Sequence, residues 1–516
     1  MTDSTQGTGG TPTADGVPMS GPPGRDWTGG GPIAGDPAGG GDGHTDRPLD
    51  WASERTMNPL DTLMWRGDND RRLRGTVCAI ELLDLTPDWQ RFVAAIEWGS
   101  RMVPRFRERV VDSPLGVGPP SWAVDPAFDL SYHLRRVRVP GGGTWSGLLE
   151  AAQQIAMTPL DQARAPWEAV LFEGLPDGKA ALLIKAHHAA TDGLGAIYGL
   201  ALLHSRVREP TPDKPQPPTP AAERLSAAEV VTRQVVTELN QSLPMAMAAA
   251  SNGLRAARHP RAALRAGLRY AQSVPKVLGL SAPPGSPLLR QRSLSWRFAT
   301  FDIPFPGLRA AGKAAGATVN DAYLTGLVGA FRIYHELMGH PIDTMPVALP
   351  ISIRGKSDTG SGNKIAVGRF AAPVWLADPY ERMVTIREQV RAARREPAAD
   401  VFSAVGPALA WLPAPVLAAA GHRTTGVSDL QASNVPGIMH DAYLAGARIE
   451  RLYPFGPLPG CAVMATMVTH GQVGCLGINY DAASVTDPGL FARSIIDGFT
   501  EVLALGNTTG RPAQRA

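Results

Sequence analysis

The sequence has few of the residues that mark secreted or zinc-binding proteins. Its three cysteines, Cys78, Cys461 and Cys475, form no CxxC pair among 516 residues. An odd, widely spaced set argues against a disulfide framework and a zinc site, so the expected compartment is the reducing cytoplasm. The first residues contain no basic segment followed by an apolar one, and we therefore expect no secretory signal.

Neither sign of charge dominates. Lys+Arg 50 against Asp+Glu 47 leaves a net charge of +3, which is too small for a general nucleic-acid binder. The segment between Glu238 and Asp302 nevertheless has no acidic residue, and five arginines recur there every three or four positions: Arg255, Arg258, Arg261, Arg265 and Arg269. This spacing predicts a basic helix face, interrupted near Pro260. That face is either simply solvated or in contact with anionic lipid headgroups or the phosphates of an acyl-CoA.

A long hydrophobic helix is also missing. The uncharged stretch Val401–Ala420 has the length of a membrane span. Three prolines within it, Pro407, Pro413 and Pro415, would each disturb helical hydrogen bonding. We therefore expect a buried or membrane-touching pair of helices and not a membrane-crossing one.

Composition and hydrophobic pattern divide the chain into four parts. Residues 1–50 are rich in Gly, Pro, Ser and Thr, which predicts a disordered tail. Residues 51–205 alternate short apolar runs with helical patterns, 206–292 are first proline-rich and then helical, and 293–508 resume the alternation. The prediction is an α/β fold of two comparable lobes joined by a helical linker.

The pattern also places individual elements. Strands are predicted at Thr76–Leu83, Ala169–Phe172, Ala181–Ile184, Arg297–Ile303, Val347–Ile353, Arg448–Leu452, Ala462–His470 and Gly474–Asn479. Helices are predicted at Pro87–Gly99, Leu194–His204, Pro306–Ala315, Asp378–Arg395 and Pro488–Leu505, and from Thr318 to about Met338. Thr318 or Asn320 can cap this last helix.

A histidine pair stands where the strand at Ala181–Ile184 ends, in the stretch Lys185-Ala-His-His-Ala-Ala-Thr-Asp-Gly193. Neighbouring side chains of a strand point to opposite faces, so His187 and His188 cannot both enter one cavity. Asp192 can cap the helix that follows. The pair is a metal site, a buried structural pair, or one working base with one structural partner.

Two of the chemical alternatives are disfavoured by the residues themselves. Adjacent histidines on opposite faces are poor co-ligands, and no second His/Cys cluster accompanies them. No Gly-x-Ser-x-Gly elbow lies near the pair, which argues against a covalent serine hydrolase. A histidine at a strand end beside a tunnel can instead accept the hydroxyl proton of an alcohol that attacks a thioester.

The stretch His187-His188-Ala-Ala-Thr-Asp192-Gly193 resembles the HHxxxDG motif of the CoA-dependent acyltransferase superfamily. Other stretches resemble the bacterial wax ester synthase/diacylglycerol acyltransferase family in particular, and they follow the family's order from about 57 to 506. They are Asn58-Pro-Leu-Asp61, Phe128-Asp-Leu-Ser-Tyr-His133, Pro159-Leu-Asp-Gln-Ala-Arg-Ala-Pro-Trp-Glu168, Thr318-Val-Asn-Asp321, Ser433-Asn-Val-Pro-Gly437 and Tyr443-Leu-Ala-Gly-Ala-Arg448 followed by Pro454-Phe-Gly-Pro457. The chain departs from the family at Ala165-Pro166, where Pro-Leu is usual, and at Ile438, where the family has Pro.

This resemblance implies two chloramphenicol acetyltransferase-like lobes with an active-site tunnel between them. His188 would be the general base and His187 its support. Asp192 would hold its loop through an ion pair, for which we propose Arg107 as the partner, and Gly193 would allow a tight turn. Three residues of the second lobe would face the tunnel and contact substrate or oxyanion: Asn320, Asp321 and, as a secondary candidate, Asn434. Helix capping is an equally good reading of Asn320 and a better one of Asp321.

The implied activity is transfer of a long-chain acyl group from acyl-CoA to diacylglycerol or to a long-chain alcohol, without a metal or other cofactor. Acyl-CoA is then a substrate, and the expected location is cytoplasmic with peripheral attachment to a membrane or lipid droplet. Two alternatives stay open. One is an acyltransferase of the same superfamily that acts on a polyketide or peptidyl alcohol, and the other is a non-catalytic lipid-binding or droplet-coating protein.

Overall fold

Two large β-sheets and a small two-stranded one organise the residues that the computed structural model describes. These residues are 54–191, 193–277, 284–352, 365–398, 401–417, 428–507 and 510–515. The predicted tail and Asp192 lie outside these ranges. The described strands are β1 (Thr76–Leu83), β2 (Glu108–Val111), β3 (Ser121–Val124), β4 (Leu134–Arg138), β5 (Trp167–Glu173), β6 (Ala180–His187), β7 (Trp296–Pro304), β8 (Thr344–Ser352), β9 (Ile365–Pro373), β10 (Leu430–Val435), β11 (Tyr443–Leu444), β12 (Ala447–Phe455), β13 (Val463–His470), β14 (Val473–Asp481) and β15 (Ala513–Gln514).

The described helices lie on and between these sheets. They are α1 (Pro59–Gly67), α2 (Trp89–Met102), α3 (Leu130–His133), α4 (Trp145–Met157), α5 (Gly193–Leu203), α6 (Ala227–Arg258), α7 (Pro260–Val277), α8 (Phe305–Ala314), α9 (Val319–Leu337), α10 (Pro379–Arg394), α11 (Val401–Leu409) and α12 (Pro488–Leu505). None of them combines the length and the apolar content that a bilayer crossing requires. The arginine-rich segment is interrupted where predicted, because α6 ends before His259 and α7 begins at Pro260.

The first sheet has six strands in the order β11-β12-β1-β6-β5-β4. Strands β1 and β6 are antiparallel and place Thr76 opposite His187. Strand β12 is antiparallel to β1 on its other side, with Ile80 opposite Tyr453. A strand from the last quarter of the chain therefore completes a sheet that begins near residue 76.

The second sheet has seven strands in the order β15-β7-β14-β13-β10-β8-β9. Strand β10 runs parallel to β13 and places Ser433 beside Thr466. The core of this half lies under α9 and α12, where Tyr323, Phe331 and Phe499 are buried. Along both helices the apolar side chains recur at helical spacing and form one face, which packs on the sheet.

The predicted fold class, a mixed α/β structure with two sheet-based halves, is confirmed. Predicted strands match observed ones within a few residues, and β1 coincides with its prediction. The strand predicted at Arg448–Leu452 is expected among the closing strands of the second lobe, whereas β12 pairs with β1 and completes the first sheet. The predicted domain boundaries at residues 50, 205 and 292 stay predictions.

Candidate active site

A cavity of about 720 Å³ lies between the two sheets. This is within the range of roughly 300–1,000 Å³ that is usual for ligand pockets. Side chains of β1, β5, β6 and β12 from the first sheet and of β8, β9, β10 and β13 from the second sheet form its wall. Helices α1, α2, α5, α7 and α11 also contribute to the lining. Most of these side chains are apolar, so the cavity can accept a hydrocarbon chain without leaving polar groups unpaired.

His188 is part of this wall, and His187 is not. The side chains of Ile184, Ala186 and His188 alternate along the end of β6 and all line the cavity, whereas Lys185 and His187 lie on the reverse face. This is the two-residue period of an extended strand. The backbone N–H of His188 donates to the carbonyl oxygen of Gly75 at 2.7 Å, which holds the end of β6 against the start of β1.

His187 is buried in polar and aromatic contacts. The backbone N–H of Ala189 donates to its Nδ1 at 3.0 Å, and Asp68 Oδ1 lies 3.2 Å from its Nε2. The ring also meets Trp65 edge-on, with 4.9 Å between centroids. Since a backbone N–H can only donate, Nδ1 is the acceptor and the ring proton is assigned to Nε2. Nδ1 of His187 is therefore committed to the fold, and Nε2 faces the carboxylate of Asp68.

Pro166-Trp167-Glu168 supports the histidine stretch from the neighbouring strand. The indole of Trp167 lines the cavity, and its Nε1–H donates to the carbonyl oxygen of Phe106 at 2.7 Å. Glu168, on the reverse face, lies 2.5 Å from Arg135 and 3.9 Å from the buried ammonium of Lys185. This segment therefore packs the cavity wall and neutralises a buried charge.

His133 belongs to the support of this wall and not to the cavity lining. Its ring stacks on Trp167 at 4.6 Å between centroids, and its Nδ1 bonds the carbonyl oxygen of Trp167 at 2.8 Å. Burial lowers the pKa of His133. Asn58 and Asp61 are structural as well, because the Asn58 side chain caps α1 through the backbone N–H of Asp61.

Arg107 is buried behind α2. Its Nη2 lies 2.6 Å from Glu97 Oε1, its Nε–H donates to Ser100 Oγ at 3.1 Å, and its guanidinium lies over the ring of Phe128. Asp192 falls outside the described residues, so the ion pair proposed between Arg107 and Asp192 stays a prediction. Gly193 is the first residue of helix α5, which begins five residues after His188.

Asn320 and Asp321 are not among the cavity-lining residues of the described chain. Thr318 is the N-cap of α9, and its hydroxyl accepts from the backbone N–H of Asp321 at 3.2 Å. The Asp321 carboxylate accepts in return from the backbone N–H and the hydroxyl of Thr318, at 2.9 and 2.8 Å. This reciprocal capping box uses Asp321 for the helix start, so capping is the better account of Asp321.

Asn434 is half-buried on β10 and likewise does not line the cavity. Its neighbours Ser433 and Val435 do line it, as the alternation of a strand requires. Sequence reasoning missed polar groups that this sheet does contribute to the lining, among them Gln431, Ser433 and Thr466. The sequence does contain the information, because alternate residues of a strand face the same side. Gln431, Ser433 and Val435 therefore share the face that lines the cavity, and Asn434 lies on the other face.

Other chemistries find little support in the described residues. No group of three or more His, Cys, Asp or Glu side chains converges there in a way that could hold a metal ion. Cys78 and Cys461 line the cavity, but burial raises the pKa of each thiol to about 12. A thiol of that pKa is protonated at neutral pH and is a poor nucleophile.

Comparison with known families gives a consistent result. Residues 57–323 match the model of the wax ester synthase/diacylglycerol acyltransferase catalytic domain, and residues 361–502 match that of the WS/DGAT C-terminal domain. A Mycobacterium tuberculosis protein provisionally named diacylglycerol O-acyltransferase is 42% identical over 463 residues, which cover 89% of this chain and 93% of that protein. A second M. tuberculosis protein with the same kind of name is 29% identical and covers 90% of this chain and 100% of its own length.

Solved structures show the same fold. The wax ester synthase/diacylglycerol acyltransferase from Marinobacter aquaeolei superposes with a TM-score of 0.57 at 21% identity, over 88% of this chain and 100% of that one. The first condensation domain of the calcium-dependent antibiotic synthetase, in complex with a substrate analogue, gives a TM-score of 0.57 at 14% identity, over 89% and 97% of the two chains. The two-lobed architecture expected from the sequence is thereby confirmed.

Proposed function

This chain belongs to the wax ester synthase/diacylglycerol acyltransferase family and is an acyl-transferring enzyme, and we propose that His188 is its general base. The observation that supports this role is the position of His188 at the end of β6, in the wall of an apolar cavity between the two sheets. His187 is excluded from that role by its burial and by its contacts at both ring nitrogens.

The proposed reaction is a direct transfer. The imidazole of His188 accepts the hydroxyl proton of a diacylglycerol or a long-chain alcohol while the oxygen attacks the thioester carbon of an acyl-CoA. The new C–O bond forms as the C–S bond breaks, and the CoA thiolate leaves and is protonated by the imidazolium. The products are a triacylglycerol or wax ester and free CoA, and no cofactor takes part.

The cavity fits this choice of substrates. Among the described lining residues, the one Lys, Arg, Asp or Glu is Arg369, on β9. Burial lowers the pKa of this guanidinium. A wall of this kind disfavours small polar acceptors and favours hydrocarbon chains. The thioester is already activated, so one base is sufficient and neither a serine nor a cysteine nucleophile is required.

Helices α6 and α7 offer a surface through which such substrates can arrive. Leu254, Leu264 and Leu268 are 63%, 66% and 54% exposed, and they alternate with five exposed arginines of the same segment, at positions 255, 258, 261, 265 and 269. Exposed leucines among arginines fit the interface of an anionic membrane. Val274, near the other end of α7, lines the cavity, so this helix connects the exposed surface with the cavity. We propose that the surface binds anionic lipid.

The experiment for the catalytic role uses purified full-length protein, radiolabelled palmitoyl-CoA, and diacylglycerol or hexadecanol as acceptor. Labelled triacylglycerol or wax ester should appear on thin-layer chromatograms. His188→Ala should lower kcat roughly 10²–10⁴-fold, as removal of a general base does, while His340→Ala, which removes an exposed histidine, should leave it unchanged. Equal turnover by His188→Ala and wild type would disprove the assignment. Turnover only with carrier-protein thioesters would favour the polyketide or peptidyl alternative.

The lipid surface is tested separately by flotation with vesicles. We expect the protein to float with phosphatidylserine-containing vesicles and not with neutral ones, and added salt to release it, because salt screens exposed charges. A Leu264→Ser/Leu268→Ser variant should bind less. Binding that is indifferent to both salt and these substitutions would contradict the proposed surface.

A further inference from the structure

Asp68 connects three parts of the site through one carboxylate oxygen. It is the C-cap residue of helix α1. Its Oδ1 accepts from the backbone N–H of Gly75 at 2.7 Å and lies 3.2 Å from Nε2 of His187. The carbonyl oxygen of Gly75 in turn accepts from the backbone N–H of His188 at 2.7 Å.

These contacts fix both histidines. The Ala189 N–H at Nδ1 and the Asp68 carboxylate, 3.2 Å from Nε2, both favour the Nε2–H tautomer of His187. Gly75 leaves room for this arrangement, since a Cβ at this position would lie 3.1 Å from His187 Nε2. The backbone of His188 is held to the same glycine, so a shift of Asp68 would be transmitted to the base through Gly75.

Asp68 also connects the histidine pair, His187 and His188, to the part of the cavity wall that α1 forms. Helix α1, which ends just before it, contributes Leu60, Leu63, Met64 and Gly67 to the lining. The side chain of Asp68 is about one-fifth exposed. A substrate that packs against α1 is therefore placed relative to His188 by the contact between Asp68 and the histidine stretch.

We propose that Asp68 is a positioning residue for catalysis, which helps to stabilise the Nε2–H tautomer of His187 and holds His188 at a fixed distance from the α1 wall. This inference rests on the proposed role of His188 as the base. Asp68 touches neither substrate nor the reacting atoms in this scheme. Its effect is on geometry, and small errors in geometry are costly to the rate, with a displacement of about 1 Å able to cost roughly 100-fold.

The kinetic test compares Asp68→Ala, Asp68→Asn and a matched control, Asp70→Ala. Asp70 lies in the same loop and bonds the exposed Arg72. Asp68→Ala should lower kcat about 10–100-fold with KM for palmitoyl-CoA nearly unchanged. Asp68→Asn should recover most of the rate, because its amide oxygen can still accept from Gly75. Asp70→Ala should behave as wild type.

A spectroscopic test reports on the contact without any turnover. In protein with ¹⁵N-labelled histidine, the side-chain shifts of His187 should show the Nε2–H tautomer in wild type and Asp68→Asn and a changed tautomer ratio in Asp68→Ala. If Asp68→Ala does not fold, Asp68→Ser, which is too short to span both contacts, replaces it. Wild-type kcat in folded Asp68→Ala, or an equal loss in Asp68→Asn, would overturn the proposal. Full activity of His188→Ala would instead refute the base assignment, and the His187 spectra would still decide the role of Asp68.

Discussion

On one face of strand β6 the side chains of Ile184 and Ala186 line the cavity, whereas on the other face Lys185 and His187 are buried against polar partners. The ammonium of Lys185 donates to the carbonyl oxygen of Thr158 and lies near Glu168. The cavity face ends in His188. One short strand thus separates residues needed for folding from residues available for chemistry, and substitutions on the two faces should give different kinds of defect.

The largest expected effect is on the reverse face. Glu168→Gln removes the carboxylate near the buried Lys185, and loss of one partner of a buried ion pair typically costs roughly 3–5 kcal/mol. We expect a decrease of about 3 kcal/mol in the free energy of unfolding, toward the low end of this range, because the two charges are 3.9 Å apart and Lys185 keeps its bond to Thr158. Urea denaturation of the single variants and of Glu168→Gln/Lys185→Met measures this. A double variant no more stable than Glu168→Gln would mean that the Lys185 charge is not the cause.

A substitution on the cavity face should change substrate preference more than stability. Ala79, on β1, is half-buried and lines the cavity, so the ring of Ala79→Phe extends into the cavity. Turnover of palmitoyl-CoA relative to hexanoyl-CoA, or of hexadecanol relative to hexanol, should fall about tenfold. Ala181→Phe on the packed reverse face is the matched control, and it should instead destabilise by about 1–3 kcal/mol. If the two variants had similar effects on the free energy of unfolding and on chain-length preference, the proposed difference between the two faces would be wrong.

The smallest effect concerns pH. Burial lowers the pKa of His133, so below about pH 6.5 the unfolded chain binds a proton that the folded chain resists, and stability falls as the pH falls. His133→Phe removes this contribution. Between pH 7.5 and 5.5 the free energy of unfolding of the His133→Phe variant should therefore decrease less than that of wild type, by up to about 1 kcal/mol. Urea denaturation at the two pH values measures this difference. An identical pH dependence in both proteins would contradict the assignment.

The sequence was sufficient for most of the local structure. The apolar run Thr76–Leu83 and the proline at 260 predict their elements because hydrophobic period and backbone chemistry are local properties. Strand alternation also separates His187 from His188 in the sequence, and only His188 of the two lies in the cavity wall. Its role as a base remains a proposal.

What could not be predicted depends on contacts that are distant in the chain. No local pattern indicates that Ala447–Phe455 pairs with β1. The motif resemblance predicts Asn320, Asp321 and Asn434 in the tunnel. Asp321 is part of the capping box of α9, and neither Asn320 nor Asn434 is among the cavity-lining residues of the described chain. The sequence does not indicate Asp68 either, because its proposed role depends on contacts of its carboxylate with Gly75, seven positions away, and with His187, more than a hundred positions away.

The pairing of β12 with β1 has a consequence for how the protein is made. Cys78 finds its partner Phe455 only after nearly the whole chain has left the ribosome, and pairings between residues so far apart slow folding because a long loop must close first. Until then, the edge of β1 offers unpaired N–H and C=O groups. The nascent first half is therefore expected to need protection from aggregation during synthesis.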